Sequence, residues 1–308
     1  MKISILGATG SVGAPVAFYL AVSGLADELL MVGGTRQNVL AHHALDIQTA
    51  ASLNNVAVRA GTYEDLPGTD VVINVAGAHV PLNLDRRNKL QEQTRFIKDI
   101  ALKTRSCCPD AIVVTGVNPV DALNYATYLS GGFDRRKLIG YSINDTIRFR
   151  ETLAKELHEA AAEIDGVVIG EHGSTQVPLF SSVKVGSKSV DIPAPAKQRI
   201  RSGMFDMIRK FESLKAGRTA GWTCAVGFAV IVKAIVENQK VVLPCSVVLD
   251  GEYGLRNISM SVPVVLGRDG VSEILEYELT TGEREGLKAT AEMLHSDAAV
   301  VRDTLASG

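Results

Sequence analysis

Three glycines spaced through Gly7-Ala8-Thr9-Gly10-Ser11-Val12-Gly13 could hold a phosphate. Glycine lets the backbone turn tightly beside a pyrophosphate, and the N–H groups opening the next helix then bind the anion. The spacing is GxxGxxG, not the commoner GxGxxG, and a plain strand-to-helix turn would also use glycine. A second stretch bears on the same ligand. An NAD site usually carries Asp or Glu about 20 residues after the glycines, to bind the ribose 2′-hydroxyl. Here that region reads Val32-Gly33-Gly34-Thr35-Arg36-Gln37, and the nearby acids Asp27 and Glu28 fall at the opposite end of the strand. With no carboxylate to repel it, a 2′-phosphate could be met by the Thr35 hydroxyl and the Arg36 guanidinium. That favours NADP, with NAD the alternative. The bland account is a flexible Gly33-Gly34 turn beside a solvated arginine.

Other residue types fit proton transfer and anion capture. Gly170-Glu171-His172-Gly173-Ser174 presents an imidazole, which titrates near neutrality. Asn144-Asp145-Thr146-Ile147-Arg148-Phe149 sets a carboxylate and a guanidinium three residues apart, on one face of a helix. Arg86-Arg87 follow a long loop after Ala76-Gly77. Each has a simpler account taken alone: a structural loop histidine, a helix-capping aspartate, an exposed arginine. The remaining histidines, His42, His43, His79, His158 and His295, share no metal-ligand spacing, and no metal site is expected.

These groups need elements to place them. Lys2–Leu6, Glu28–Val32, Val56–Ala60, Asp70–Ala76, Ala111–Thr115 and Lys137–Tyr141 read as strands. Helical patterns lie between several of them, at Ser11–Ser23, Asn38–Ala51, Arg86–Thr104 and Val120–Leu129. Near-continuous apolar strands alternating with helices imply a doubly wound parallel sheet of Rossmann type. After about Tyr141 the rhythm changes to an α+β grouping. Helices are expected at Asp145–Ala162, Ala196–Lys215, Thr223–Asn238 and Glu283–Leu305. Strands are expected at Gly166–Gly170, Pro178–Val185, Val241–Leu249, Ile258–Leu266 and Ile274–Leu279. The expected division is a dinucleotide-binding domain over 1–141 and a substrate domain over 142–308.

Composition sets the outer bounds. With 32 Lys+Arg against 34 Asp+Glu, the net charge of −2 argues against a nucleic-acid or anionic-membrane partner. A chain of 308 residues, 46% hydrophobic and 21% charged, can bury a sizeable core without disulfide staples. Its four cysteines lack CxxC spacing. Met1–Leu6 run straight into the glycine turn, leaving no room for a signal peptide, and the apolar window Trp222–Val236 is broken by Lys233. A reduced, cytoplasmic, globular protein is expected.

The motifs together carry a resemblance. GATGSVG, VNPVD (Val117–Asp121), NDTIRF, GEHG, VLDGEYG (Val248–Gly254) and VPVVLGRDG (Val262–Gly270) occur in this order over nearly the whole chain. The sequence resembles the lactate/malate dehydrogenase family, closest to its archaeal-type malate dehydrogenase-like members. The resemblance implies oxidation of an L-2-hydroxy acid to its 2-oxo acid, with hydride passing to a nicotinamide. His172 would then take the hydroxyl proton, and Asp145 would fix its tautomer. Arg148 would hold the substrate carboxylate, and Arg86 would polarise the carbonyl oxygen in the reductive direction. Asn118 would contact both substrate and cofactor. A homodimer or homotetramer is implied in the same way.

One departure bears on the substrate. Malate enzymes of the family carry an arginine in the loop after Ala76-Gly77 for the distal carboxylate, and Val80 falls at that position. A buried carboxylate without a cation is costly, so Val80 favours lactate or a more apolar 2-hydroxy acid, whereas the overall likeness favours malate. His79 or Arg87 could rescue a dicarboxylate. Ser174 stands where the family commonly has Asp. The pocket should be completed by Gly217–Thr223, with Thr219, Ala220 or Thr223 facing the substrate. The opening ILGATG also resembles short-chain dehydrogenase-like regulators, which leaves a non-catalytic NADP-binding sensor as a rival. Those relatives lack the GEHG histidine, and no tyrosine here has a lysine four residues later. A degenerate homologue acting as an assembly subunit is the third reading.

Overall fold

The computed structural model describes residues 1–79, 86–217 and 219–307, with Arg86 by its backbone alone. The first half alternates as expected: β1 (Lys2–Leu6), α1 (Gly13–Val22), β2 (Glu28–Val32), α2 (Gln37–Ala51), β3 (Ala57–Gly61), β4 (Val71–Asn74), α3 (Arg86–Cys107), β5 (Ile112–Thr115), α4 (Val120–Gly131) and β6 (Leu138–Gly140). Every residue of β4, β5 and β6 is buried. A parallel sheet covered by helices on both faces demands this, and it is why these strands read as apolar runs without alternation. The six strands lie parallel in the order β3-β2-β1-β4-β5-β6. The order reverses at β1, which opens a crevice beyond the carboxyl ends of β1 and β4, where doubly wound sheets bind ligands.

The second half comprises α5 (Ile143–Leu157), β7 (Ile164–Asp165), β8 (Val168–Ile169), β9 (Val177–Pro178), β10 (Lys184–Val185), β11 (Lys188–Ser189), α6 (Ala194–Ser213), α7 (Gly221–Val236), β12 (Val241–Asp250), β13 (Arg256–Gly267), β14 (Gly270–Ile274) and α8 (Thr281–Ala306). The three long antiparallel strands do not form a sheet apart. β12 pairs with β6 through Ser246 and Gly140, so one nine-stranded sheet runs across residue 142. The main core accordingly takes in residues from Ile3 to Val301. A smaller cluster, including Phe149, Leu153, Phe180, Ile200 and Met204, fills the space around α5 and α6.

Three strand expectations are corrected. Gly166–Gly170 and Pro178–Val185 hold only two-residue pieces, β8 to β10, with a 3-10 turn at Phe180–Ser182. Ile274–Leu279 is not a strand either. β13 turns at Arg268-Asp269 and pairs Gly267 with Gly270, so β14 is spent by Ile274. Tyr277 is instead docked by its N–H, which donates to the Tyr253 hydroxyl at 3.0 Å. Among the described residues no helix is long and apolar enough to cross a membrane.

Candidate active site

The first turn of α5 presents Asp145, and Arg148 follows one turn on. His172 lies just past β8. Two sets of bonds bring these segments together. The Thr146 hydroxyl accepts the Val168 N–H at 3.0 Å, tying α5 to β8. Gly170 then exchanges backbone bonds with Ser261 of β13, at 2.9 and 3.1 Å, which anchors the loop that carries the histidine.

The result is a cluster held by one carboxylate. Asp145 Oδ2 lies 2.6 Å from His172 Nδ1, and its Oδ1 accepts from Arg148 Nη1 at 3.2 Å. The histidine, aspartate and arginine side chains are 14%, 7% and 12% exposed, so these contacts are shielded from water. A carboxylate only accepts, so Nδ1 is the donating nitrogen and Nε2 remains for other work. Burial works against a charged ring, but the charge and hydrogen bond of Asp145 outweigh it and hold the His172 pKa above its ordinary value. Among the described residues, Arg148 Nε is buried and has no partner, and neither has Gln176 Oε1. A buried unpaired N–H is costly, which marks Arg148 as a donor awaiting an acceptor.

Asn118, Asp145, Arg148, His172 and Gln176 line a cavity of about 630 Å³. Its opposite wall is apolar: α6 contributes Phe205, Ile208 and Phe211, with Glu212 and Lys215 near its end. Thr219 and Ala220 line the cavity and Thr223 does not. Neither Gln176 nor the α6 wall was anticipated from the residue types alone. Only the i, i+3, i+6 spacing of the three apolar residues could have flagged a second face on that helix.

The glycine turn sits at the carboxyl end of β1, in the crevice. Gly7 adopts φ +88°, and a Cβ there would lie 2.7 Å from the Ala76 nitrogen. A Cβ on Gly13 would lie 2.3 Å from the Gly7 carbonyl oxygen. Only glycine at both positions allows the turn to close this tightly. Val12 supplies no side-chain cap to α1 and the first turn holds no acid, so neither a side-chain cap nor a first-turn carboxylate competes for the N–H groups there. Thr9, Gly10 and Ser11 complete the rim. A pyrophosphate fits this cradle. Arg36, at the start of α2, donates from Nη2 to the Thr9 carbonyl at 2.9 Å and approaches the Thr9 hydroxyl at 3.5 Å. Gly33 packs near Thr9, and Thr35 is exposed on the same rim. The glycine turn and the segment that borders the cavity meet at Gly221, whose Cβ, were there one, would lie 2.1 Å from the Ser11 carbonyl oxygen. Val80 lies outside the described residues. Arg86 opens α3, and its side chain is likewise outside them.

A family model described as the lactate/malate dehydrogenase NAD binding domain matches residues 1–140, and one described as the alpha/beta C-terminal domain of the same enzymes matches residues 144–303. The chain belongs to the lactate/malate dehydrogenase family. It is 36% identical over 296 residues to a malate dehydrogenase from Halobacterium salinarum, covering 95% of this chain and 97% of that one. It is 32% identical over 301 residues to a malate dehydrogenase from Bacillus subtilis, covering 94% and 95%. Among solved structures, the malate dehydrogenase from Aeropyrum pernix superposes with a TM-score of 0.88 at 30% identity, over 96% of this chain and 97% of that one. A minor L-lactate dehydrogenase from Enterococcus mundtii gives 0.90 at 28%, over 97% and 98%. As a lactate/malate dehydrogenase family member, the protein is an oxidoreductase that interconverts a small hydroxy acid and its oxo acid with a nicotinamide cofactor.

Proposed function

We propose that the chain interconverts a small L-2-hydroxy acid, malate first, and its 2-oxo acid, oxaloacetate, with NADP preferred over NAD. The observation that carries this reading is the cluster in which Asp145 binds both His172 and Arg148 at the edge of the cavity. The nicotinamide, when bound, supplies the acceptor or donor of the hydride. His172 Nε2 removes the hydroxyl proton in oxidation and returns it in reduction. Asp145 keeps the ring in the tautomer that leaves Nε2 bare and stabilises it once charged. Arg148 offers its planar fork, including the partnerless Nε, to the substrate carboxylate. Asn118 hydrogen-bonds substrate and cofactor from the same wall, and Arg86 polarises the carbonyl oxygen. Residues 1–141 thus bind the nucleotide, and 142–308 supply the base and the carboxylate anchor.

Gly7, Thr9, Gly10, Ser11, Val12 and Gly13 would hold the pyrophosphate, and Gly33, Thr35 and Arg36 the adenosine ribose. The preference for NADP is supported by a guanidinium fastened to the glycine turn and by the absence of a carboxylate at the end of β2. Malate is supported by the named relatives. The apolar α6 residues Phe205, Ile208 and Phe211, with Val80, favour a second substrate reading, an acid with an apolar side group, because a distal carboxylate set among them out of reach of the Lys215 ammonium would cost several kcal/mol. The four free cysteines fit a reducing cytoplasm. A homodimer or homotetramer fits the exposed stripe of Trp222, Val226 and Val230 along α7.

Initial rates with oxaloacetate, pyruvate and 2-oxoisocaproate, each with NADH and NADPH, test the reading. Oxaloacetate with NADPH should give the highest kcat/KM. Oxaloacetate slowest by far would remove malate, and NADH ahead of NADPH would remove the reading of Gly33–Arg36. His172→Asn should abolish turnover and leave nucleotide binding intact, whereas a sensor would show no turnover to lose.

A further inference from the structure

Asp121 takes no part in the chemistry above, yet it is 2% exposed and both its oxygens are engaged. Oδ2 accepts the backbone N–H of His172 at 2.7 Å, and Oδ1 accepts the Ser246 hydroxyl at 2.5 Å. Ser246 Oγ is 2.9 Å from Ser259 Oγ. Asn124 donates to Ser259 Oγ at 2.9 Å and to the Ser246 carbonyl at 3.2 Å. The Thr115 hydroxyl in turn donates to Asn124 Oδ1 at 2.8 Å. A buried polar chain therefore runs from the end of β5, through α4 and the β12–β13 pair, to the main chain of His172. Stability alone does not call for it, since well-packed apolar residues serve as well or better in such places.

Resting on the reading of His172 as the base, we infer that Asp121 is a positioning residue for the proton-transfer step, fixing the His172 main chain from the nucleotide-binding half while Asp145 fixes the ring from the other. Asp121 lies in the first turn of α4, three residues after Asn118, so one short segment bears both on a wall of the cavity and on the base that faces it. A base works only within about 2.6–3.2 Å of the atom whose proton it takes, and a displacement of about 1 Å can cost 100-fold in rate. The carboxylate also acts through its charge. The groups facing Asp121 are Ser246 from the sheet, backed by Ser259, with Glu171 and His172 from the loop. The His172 ring in turn faces Asp145 and Arg148 of α5. Burial pushes the Asp121 carboxyl up to about 6, against the donors that lower it, so it is charged above that pH. In that form it adds to the proton affinity of the ring.

Asp121→Asn keeps an acceptor for the His172 N–H and removes the charge; Asp121→Ala removes both. The measurements are the titration of the His172 ring by NMR on histidine-labelled protein, assigned with His172→Asn, and kcat and KM across pH. In Asp121→Asn the ring should titrate about 1 pH unit lower, and the alkaline limb of oxo acid reduction should move down with it. In Asp121→Ala, kcat should fall about 100-fold while both KM values stay within a few-fold. An Asp121→Asn ring that titrates where the wild type does, with kcat unchanged, overturns the inference, and this holds even if Asp121→Ala fails to fold. The ring titration needs no turnover. Full activity in His172→Asn would therefore sink the proposed function without touching the link from Asp121 to the ring.

Discussion

At His172, burial and the Asp145 carboxylate pull in opposite directions, and the carboxylate prevails. The ring pKa therefore lies above the ordinary value of about 6.5. With His172 as the proposed base, hydroxy acid oxidation needs the neutral ring, so its kcat/KM should climb as pH rises through this raised value. Oxo acid reduction needs the charged ring and should fall over the same window. Paired pH profiles of the two directions check both limbs. Arg148→Lys keeps the charge but gives up the fork, and should raise KM for the oxo acid about 10- to 100-fold, leaving KM for the nucleotide near wild type. The residue types of 145, 148 and 172 were legible because each fits few chemical roles. The apolar wall was not. Helix α6 buries Ala196, Ile200 and Met204 on one side and turns Phe205, Ile208 and Phe211 to the cavity on another, and an apolar residue in a sequence does not say which side it is on.

Elements are where the sequence spoke most unevenly. Strands buried on both faces announce themselves as apolar runs, and β1 and β2 start and stop where such runs do. The two-residue strands after α5 have no such period, and Leu275–Leu279 alternates like a strand because it packs against the fold without joining a ladder. Helix α8 depends on a cap that was also missed. The Glu283 carboxylate accepts from the Thr280 N–H and hydroxyl at 3.0 and 2.8 Å, and from the Ser181 N–H and hydroxyl at 3.0 and 2.8 Å. Burial would raise its pKa, but these donors hold it below the ordinary 4.5. Its stabilising effect is therefore present above that value and lost as pH falls through the lower one. Glu283→Gln should cost about 1–3 kcal/mol in urea unfolding at pH 7, and the gap to wild type should narrow in acid. At the other end of the chain, Gly13→Ala should pry the phosphate turn open. Nucleotide binding, followed by fluorescence titration, should be lost while the far-UV circular dichroism stays unchanged.

For the molecule as a whole, strand existence was readable but strand partnership was not. Nothing in residues 241–274 says that β12 will lie against β6, since the join is the pairing of Ser246 with Gly140 alone. The shared sheet makes the halves interdependent. A fragment of residues 1–141 should expose the edge of β6 and the side of α1 that α7 covers, and should aggregate, whereas the full chain, with its shared sheet, should unfold in one urea transition. The contact of Gly221 with Ser11 has a further consequence for anyone retailoring this enzyme. On the proposed reading, substitutions on α6 should retune which acid is accepted while the nucleotide preference stays put, but a methyl group at 221 would strike the Ser11 carbonyl and should disturb both selectivities together.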